Sequence, residues 1–174
     1  MDISCSKRPH AVLVPFPAQG HINPMMQVAL KLVEEGFLIT FVNTDYNYTR
    51  IAEANKINFS NHMMIRSVVV PDGLPPTDTR TDIVKLCHVT ENVIVPFLDN
   101  VIRQIKEEDN DSSVCLVVDV LASRAVEIAE RHQIPKAALC TSLTATYAIE
   151  YNIPSLISSR IIASNGNRTL IVIS

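Results

Sequence analysis

The sequence predicts an α/β fold: a parallel sheet with helices on both faces. Three features predict it. Short, almost wholly apolar runs have the length of strands buried on both sides, and longer stretches between them carry apolar residues at helical spacing. Turn residues mark the junctions, so the chain reads as repeated βαβ units.

The elements follow in order. Ala11-Val12-Leu13-Val14-Pro15 is the first strand, and Phe16-Pro17-Ala18-Gln19-Gly20-His21 a loop rich in turn residues. Over 22–35, Met25, Met26, Val28, Ala29, Leu32 and Val33 fall on one helical face. Asn23-Pro24 fits the start of that helix, as cap and first-turn proline, and Gly36 fits its end. The run 37–43 reads as the second strand, 44–54 as a short helix and 64–70 as the third strand. Pro71-Asp72-Gly73-Leu74-Pro75-Pro76 excludes regular pairing through its prolines and glycine. Residues 82–106 are helical in pattern, with Pro96 expected to kink or end the helix. A fourth strand, 114–119, is followed by a helix over 122–132, a short strand over 136–140 and a helix over 142–158. Thr169-Leu170-Ile171-Val172-Ile173 is a further β-prone run and an expected aggregation hazard.

Length and composition fit one soluble globular domain. The 174 residues are 47% apolar and 19% charged, and a chain of this size buries roughly 70% of its unfolded surface. A net charge of −3 argues against nucleic acid, which requires a concentrated basic surface. No run approaches the 18 or so apolar residues of a membrane span. No secretory leader is evident, so the expected location is cytoplasmic. Cys5, Cys87, Cys115 and Cys140 are widely spaced and read as reduced thiols rather than metal ligands.

Right-handed crossovers place the loop after every strand on one edge of the sheet, where open α/β sheets bind ligands. His21, Asp119 and Thr141 all follow strands and are therefore expected to converge. His21 could be a general base, since a neutral imidazole takes a proton from a bound hydroxyl near neutral pH, or a loop histidine capping backbone groups. Asp119 could accept a hydrogen bond from the His21 ring and stabilise the imidazolium as it forms, or cap the following helix. Cys87-His88 cannot form a metal pair, because adjacent helical positions face apart. Met25 and Met26 read as core or as pocket lining. His10 is expected near the start of the first strand, His62 and His132 on the surface.

Pro15-Phe16-Pro17-Ala18-Gln19-Gly20-His21-Ile22-Asn23-Pro24 resembles the N-terminal signature of plant family 1 UDP-glycosyltransferases. The resemblance continues through Phe41-Val42-Asn43-Thr44, Pro71-Asp72-Gly73-Leu74-Pro75, Val117-Val118-Asp119 and Ala125-Val126-Glu127-Ile128-Ala129. It covers about residues 7–162 and leaves 163–174 as an unaligned tail. It implies the N-terminal half of a GT-B fold: residues 1–174 as a single Rossmann-like acceptor-binding domain, facing a UDP-sugar-binding domain that this chain lacks. By resemblance His21 deprotonates the acceptor hydroxyl, Asp119 supports it, and Gly20 and Thr141 contact substrate. The implied partners are a small lipophilic acceptor and a UDP-sugar, with UDP-glucose the family's commonest donor. No metal and no further cofactor are implied.

The family's tryptophan-rich donor signature is absent: the sequence has no tryptophan and four glycines. The expected activity is therefore that of one half of an inverting glycosyltransferase, inactive alone. The alternative is a free-standing small-molecule binding or regulatory module without catalysis.

Overall fold

The computed structural model describes residues 8–53, 63–108, 113–163 and 165. The predicted β-run at 169–173 and His62 lie outside the described residues. Elements follow in the order β1 (His10–Val14), α1 (Gln19–Glu34), β2 (Leu38–Thr44), α2 (Asp45–Glu53), β3 (Ile65–Val70), α3 (Ile83–Val89), α4 (Val95–Glu108), β4 (Val114–Asp119), α5 (Val126–Arg131), β5 (Lys136–Leu139) and α6 (Thr144–Ser158). All five strands are parallel, in the order β3-β2-β1-β4-β5.

Alternation along the strands builds two cores. Val12 and Val14 point to one face, where they meet Leu98, Val101, Ile102 and Ile105 of α4 and Ile128 and Ala129 of α5. Ala11 and Leu13 point to the other, against Ile22, Met25, Met26 and Ala29 of α1. Met25 and Met26 are fully buried core residues. The helical positions repeat at three- and four-residue intervals, as an amphipathic face requires. Each buried Val, Leu, Ile or Met among them contributes about 1.5–3 kcal/mol by leaving water.

Helix α1 starts earlier than the sequence predicts. Its cap position is Ala18, which offers no side-chain cap, and Pro24 lies inside the helix rather than at its first turn. The Ala18 carbonyl takes the first bonds, from the N–H groups of His21 (2.9 Å) and Ile22 (3.1 Å). Pro24 needs no donor of its own there, at the cost of one bond to the Gly20 carbonyl. The helix ends as predicted at Gly36. Its φ of 87° permits the paired bonds Gly36 N–H to Val33 and Phe37 N–H to Leu32.

Pro96 does not break its helix. The turn Thr90–Ile94 widens to a π-turn in which Val95 N–H reaches back to the Thr90 carbonyl. One extra residue in the turn accommodates a proline that can neither donate nor tolerate a carbonyl against its ring. The segment after β4 begins as a 3-10 helix, Val120–Ala125, before α5.

Two compact units divide the chain, Met1–Thr141 and Ser142–Ser174. The first holds the sheet and helices α1 to α5. In the second, α6 carries exposed Tyr147, Ile149 and Tyr151, and the two tyrosine rings lie 6.4 Å apart.

Candidate functional site

Strand register brings the three predicted residues together. Val14 pairs with Val118, and Asp119 pairs with Leu139, so Asp119 ends level with the start of the loop after β1 and with the end of β5. The helices change face between β1 and β4. α1 covers one side of the sheet, while α4 and α5 cover the other. A crevice opens at such a reversal of strand order, and open α/β sheets bind their ligands there.

At that crevice the His21 Nδ1 lies 2.8 Å from Asp119 Oδ2. The His21 side chain is 21% exposed and that of Asp119 is fully buried. A buried carboxylate only accepts hydrogen bonds, so Nδ1 carries the ring proton and Nε2 keeps a lone pair. The other carboxylate oxygen, Oδ1, accepts the Leu121 N–H at 2.9 Å and caps the 3-10 segment. The bond to the His21 ring and the cap, the two contacts the sequence suggested for Asp119, are both present, one on each oxygen. Hydrogen bonds to a charged group are worth about 1.5–3 kcal/mol each and offset the burial of the carboxylate. Thr141 Oγ1 lies 2.8 Å from Nδ1 and 3.4 Å from Asp119 Oδ2. The buried Phe16 ring meets the imidazole edge-on, with centroids 5.3 Å apart at 65°, a contact worth about 0.5–1.5 kcal/mol.

Gly20 sits in the exposed first turn of α1, where an added Cβ would meet nothing within 4 Å. It makes no contact with the His21–Asp119–Thr141 cluster that any hydrogen bond records. Open space rather than tight packing surrounds it.

Sequence reasoning missed a second buried charge pair on the same edge of the sheet. Arg80 and Asp72 are joined by two parallel bonds, Nε to Oδ2 and Nη2 to Oδ1, each 3.0 Å. Their side chains are 6% and 3% exposed. The remaining Arg80 donors go to the carbonyls of Leu74, Pro75 and Asp78, and the guanidinium stacks 4.2 Å from the Tyr46 ring centroid. Asp72 raises the Arg80 pKa above its ordinary value, chiefly through its hydrogen bonds. The pair ties the irregular 71–82 segment to α2. Pairing of two residues eight apart in an irregular segment leaves no periodic signal in a sequence.

That segment also walls a cavity of ≈ 360 Å³, together with Gln19, Ile22 and Asn23 of α1 and Tyr46, Asn47 and Arg50 of α2. None of His21, Asp119 or Thr141 lines it. The cavity is a neighbour of the cluster on the α2 side, not the space in front of Nε2. Among the described residues no group of three His, Cys, Asp or Glu side chains could hold a metal ion. No helix among them is long and apolar enough to cross a membrane.

His132 corrects its expectation as a surface residue: its side chain is 15% exposed and its Nε2–H donates to Asp99 at 3.0 Å.

An open parallel sheet with a reversal of strand order at β1 and β4 defines a Rossmann-like class of domain. Residues 10–72 match the glycosyltransferase N-terminal domain family. The chain is 37% identical over 144 residues to (R)-mandelonitrile beta-glucosyltransferase of Prunus dulcis, covering 80% of this chain and 30% of that protein. It is 40% identical over 138 residues to UDP-glycosyltransferase 85A3 of Arabidopsis thaliana, covering 77% and 28%. A solved UDP-glucosyltransferase from Polygonum tinctorium superposes with a TM-score of 0.69 at 19% identity, covering 90% of this chain and 35% of that one. In sequence and in fold the chain thus resembles the N-terminal part of the plant UDP-glycosyltransferases, matching the N-terminal half of their GT-B fold. It spans about 30% of the length of the relatives it matches.

Proposed function

We propose that this chain is the acceptor-binding, base-supplying part of an inverting UDP-dependent glycosyltransferase, acting on a hydroxyl or carboxyl group of a small lipophilic molecule. The observation that carries the reading is the 2.8 Å contact between the His21 Nδ1 and the buried Asp119 carboxylate. It holds the tautomer in which Nε2 can accept a proton.

In the proposed reaction the acceptor O–H gives its proton to Nε2 as its oxygen attacks the anomeric carbon of the sugar. The bond from that carbon to the UDP oxygen breaks, and UDP leaves with the electron pair. The imidazolium that forms faces a carboxylate already in place, so no reorganisation is needed as charge develops. Gly20, with open space about it, leaves room for substrate, and Thr141 is assigned by resemblance to a contact with the sugar. Stabilising the charge on the leaving diphosphate falls to the C-terminal part of the relatives, of whose length this chain spans about 30%. The donor is a UDP-sugar, with glucose favoured because the relatives are named as glucosyltransferases.

The test joins this chain to the C-terminal part of a relative and measures transfer from UDP-glucose to a panel of phenols and alcohols. His21→Ala should lower kcat by roughly 10²- to 10⁴-fold, the usual contribution of a positioned general base. Near-normal turnover in that variant overturns the reading.

A further inference from the structure

Thr141 makes a contact that acid–base chemistry at Nε2 does not by itself require. Its hydroxyl oxygen is as close to the His21 Nδ1 as the Asp119 carboxylate is, 2.8 Å in both cases. We infer that Thr141 is a positioning residue for His21, the third member of a cluster that fixes the imidazole's tautomer and rotation. The inference rests on the reading of His21 as the base.

Donor counting leaves one consistent arrangement. Nδ1 has a single hydrogen, and it faces two oxygens. Asp119 Oδ2 has none to give, so the Nδ1–H is shared between Oδ2 and Thr141 Oγ1. The threonine hydrogen then has one acceptor in the cluster, Asp119 Oδ2 at 3.4 Å. The three groups close a ring of contacts in which each member limits the rotation of the others. The alternative, with the Thr141 hydroxyl donating to a bare Nδ1, would set a lone pair against a buried carboxylate at 2.8 Å.

One consequence concerns the ligand. With its hydrogen turned toward Asp119 Oδ2 at 3.4 Å, Thr141 Oγ1 presents a lone pair to a bound molecule. A sugar hydroxyl that donates to Thr141 draws on the oxygen that shares the Nδ1 proton. Occupancy of the sugar site and orientation of the base become linked through one atom.

The test is made on the 174-residue chain itself, by histidine-selective nitrogen–proton magnetic resonance. The wild type should show His21 protonated on Nδ1, with slow exchange of that proton into water. Thr141→Ser should keep both features, because it keeps the oxygen. Thr141→Val, nearly the same in shape, should speed that exchange by about tenfold, the loss of one ordinary hydrogen bond. If the valine variant does not fold, Thr141→Ala is judged by the same readout. Protonation of the wild-type ring on Nε2, or unchanged exchange in a folded Val or Ala variant, overturns the inference. These ring measurements need no turnover, so they stand or fall apart from the His21→Ala activity test.

Discussion

Two buried carboxylates stand on the same edge of the sheet and do opposite things with a cationic or potentially cationic partner. Asp72 takes both faces of its bond with Arg80 out of circulation. All five N–H donors of the guanidinium are spent on Asp72 and three loop carbonyls. Asp119 holds His21 by one nitrogen only and leaves Nε2 without a hydrogen bond to any described residue. A saturated pair can only hold chain in place, whereas a half-used ring can exchange a proton. The number of unspent donors and acceptors, more than burial, separates a structural ion pair from a candidate reactive one.

The largest effect expected from breaking this contrast is on chemistry at the Asp119 corner. In a chain completed by a relative's C-terminal part, Asp119→Asn should lower kcat by roughly 10²-fold or more. The amide can donate to Nδ1 and favour the wrong tautomer, and it removes the charge that faces the imidazolium. KM for the acceptor should change little, because the side chain is fully buried and lies behind the ring. A variant with normal kcat would reduce Asp119 to the cap it also provides for the 3-10 segment.

The corresponding break at the other pair should appear in stability. Arg80→Met leaves a buried carboxylate at Asp72 without its partner, a loss on the order of 3–5 kcal/mol. Urea unfolding of the 174-residue chain measures it. Replacing both residues, Asp72→Asn with Arg80→Met, should recover part of the loss, since no uncompensated charge then remains. If the single variant unfolds at the wild-type midpoint, the 71–82 segment does not depend on the pair and the contrast with Asp119 fails.

The sheet was legible in the sequence because strands buried on both faces write themselves as near-continuous apolar runs. Every predicted strand in the described residues is present, within one residue at each end. Convergence of His21, Asp119 and Thr141 was legible for a topological reason: parallel strands put all their C-terminal ends on one edge. Three features were not legible. The early start of α1 depends on the Ala18 carbonyl, not on a capping side chain. The π-turn before Pro96 is a local compromise that no periodicity announces. The Asp72–Arg80 knot joins residues within an irregular segment, where spacing carries no direction. Thr141's bond to the imidazole was missed for a related reason, since register fixes where a strand ends but not how a hydroxyl there rotates.

A third carboxylate, Asp99 on α4, lies between these extremes and gives the smallest and most pH-dependent prediction. Its side chain is 18% exposed and meets His132, Arg131 of α5 and Arg103 one helical turn away. The hydrogen bond from His132 is the main cause that holds the Asp99 pKa below its ordinary value of 3.8, with the two arginines adding to it. A carboxylate with a depressed folded-state pKa stabilises the fold above its unfolded value and loses that contribution as pH falls through the folded one. The α4–α5 contact should therefore weaken only below about pH 4. Asp99→Asn should lower stability at pH 7 by about 1 kcal/mol or less, as partly exposed ion pairs do, and should flatten the acid limb of the stability curve. Urea midpoints measured from pH 7 to pH 2.5 check this. Parallel curves for variant and wild type below pH 4 would show that Asp99 contributes nothing through its charge. Asp72 and Asp119 would then remain the two of the three held in buried pairs.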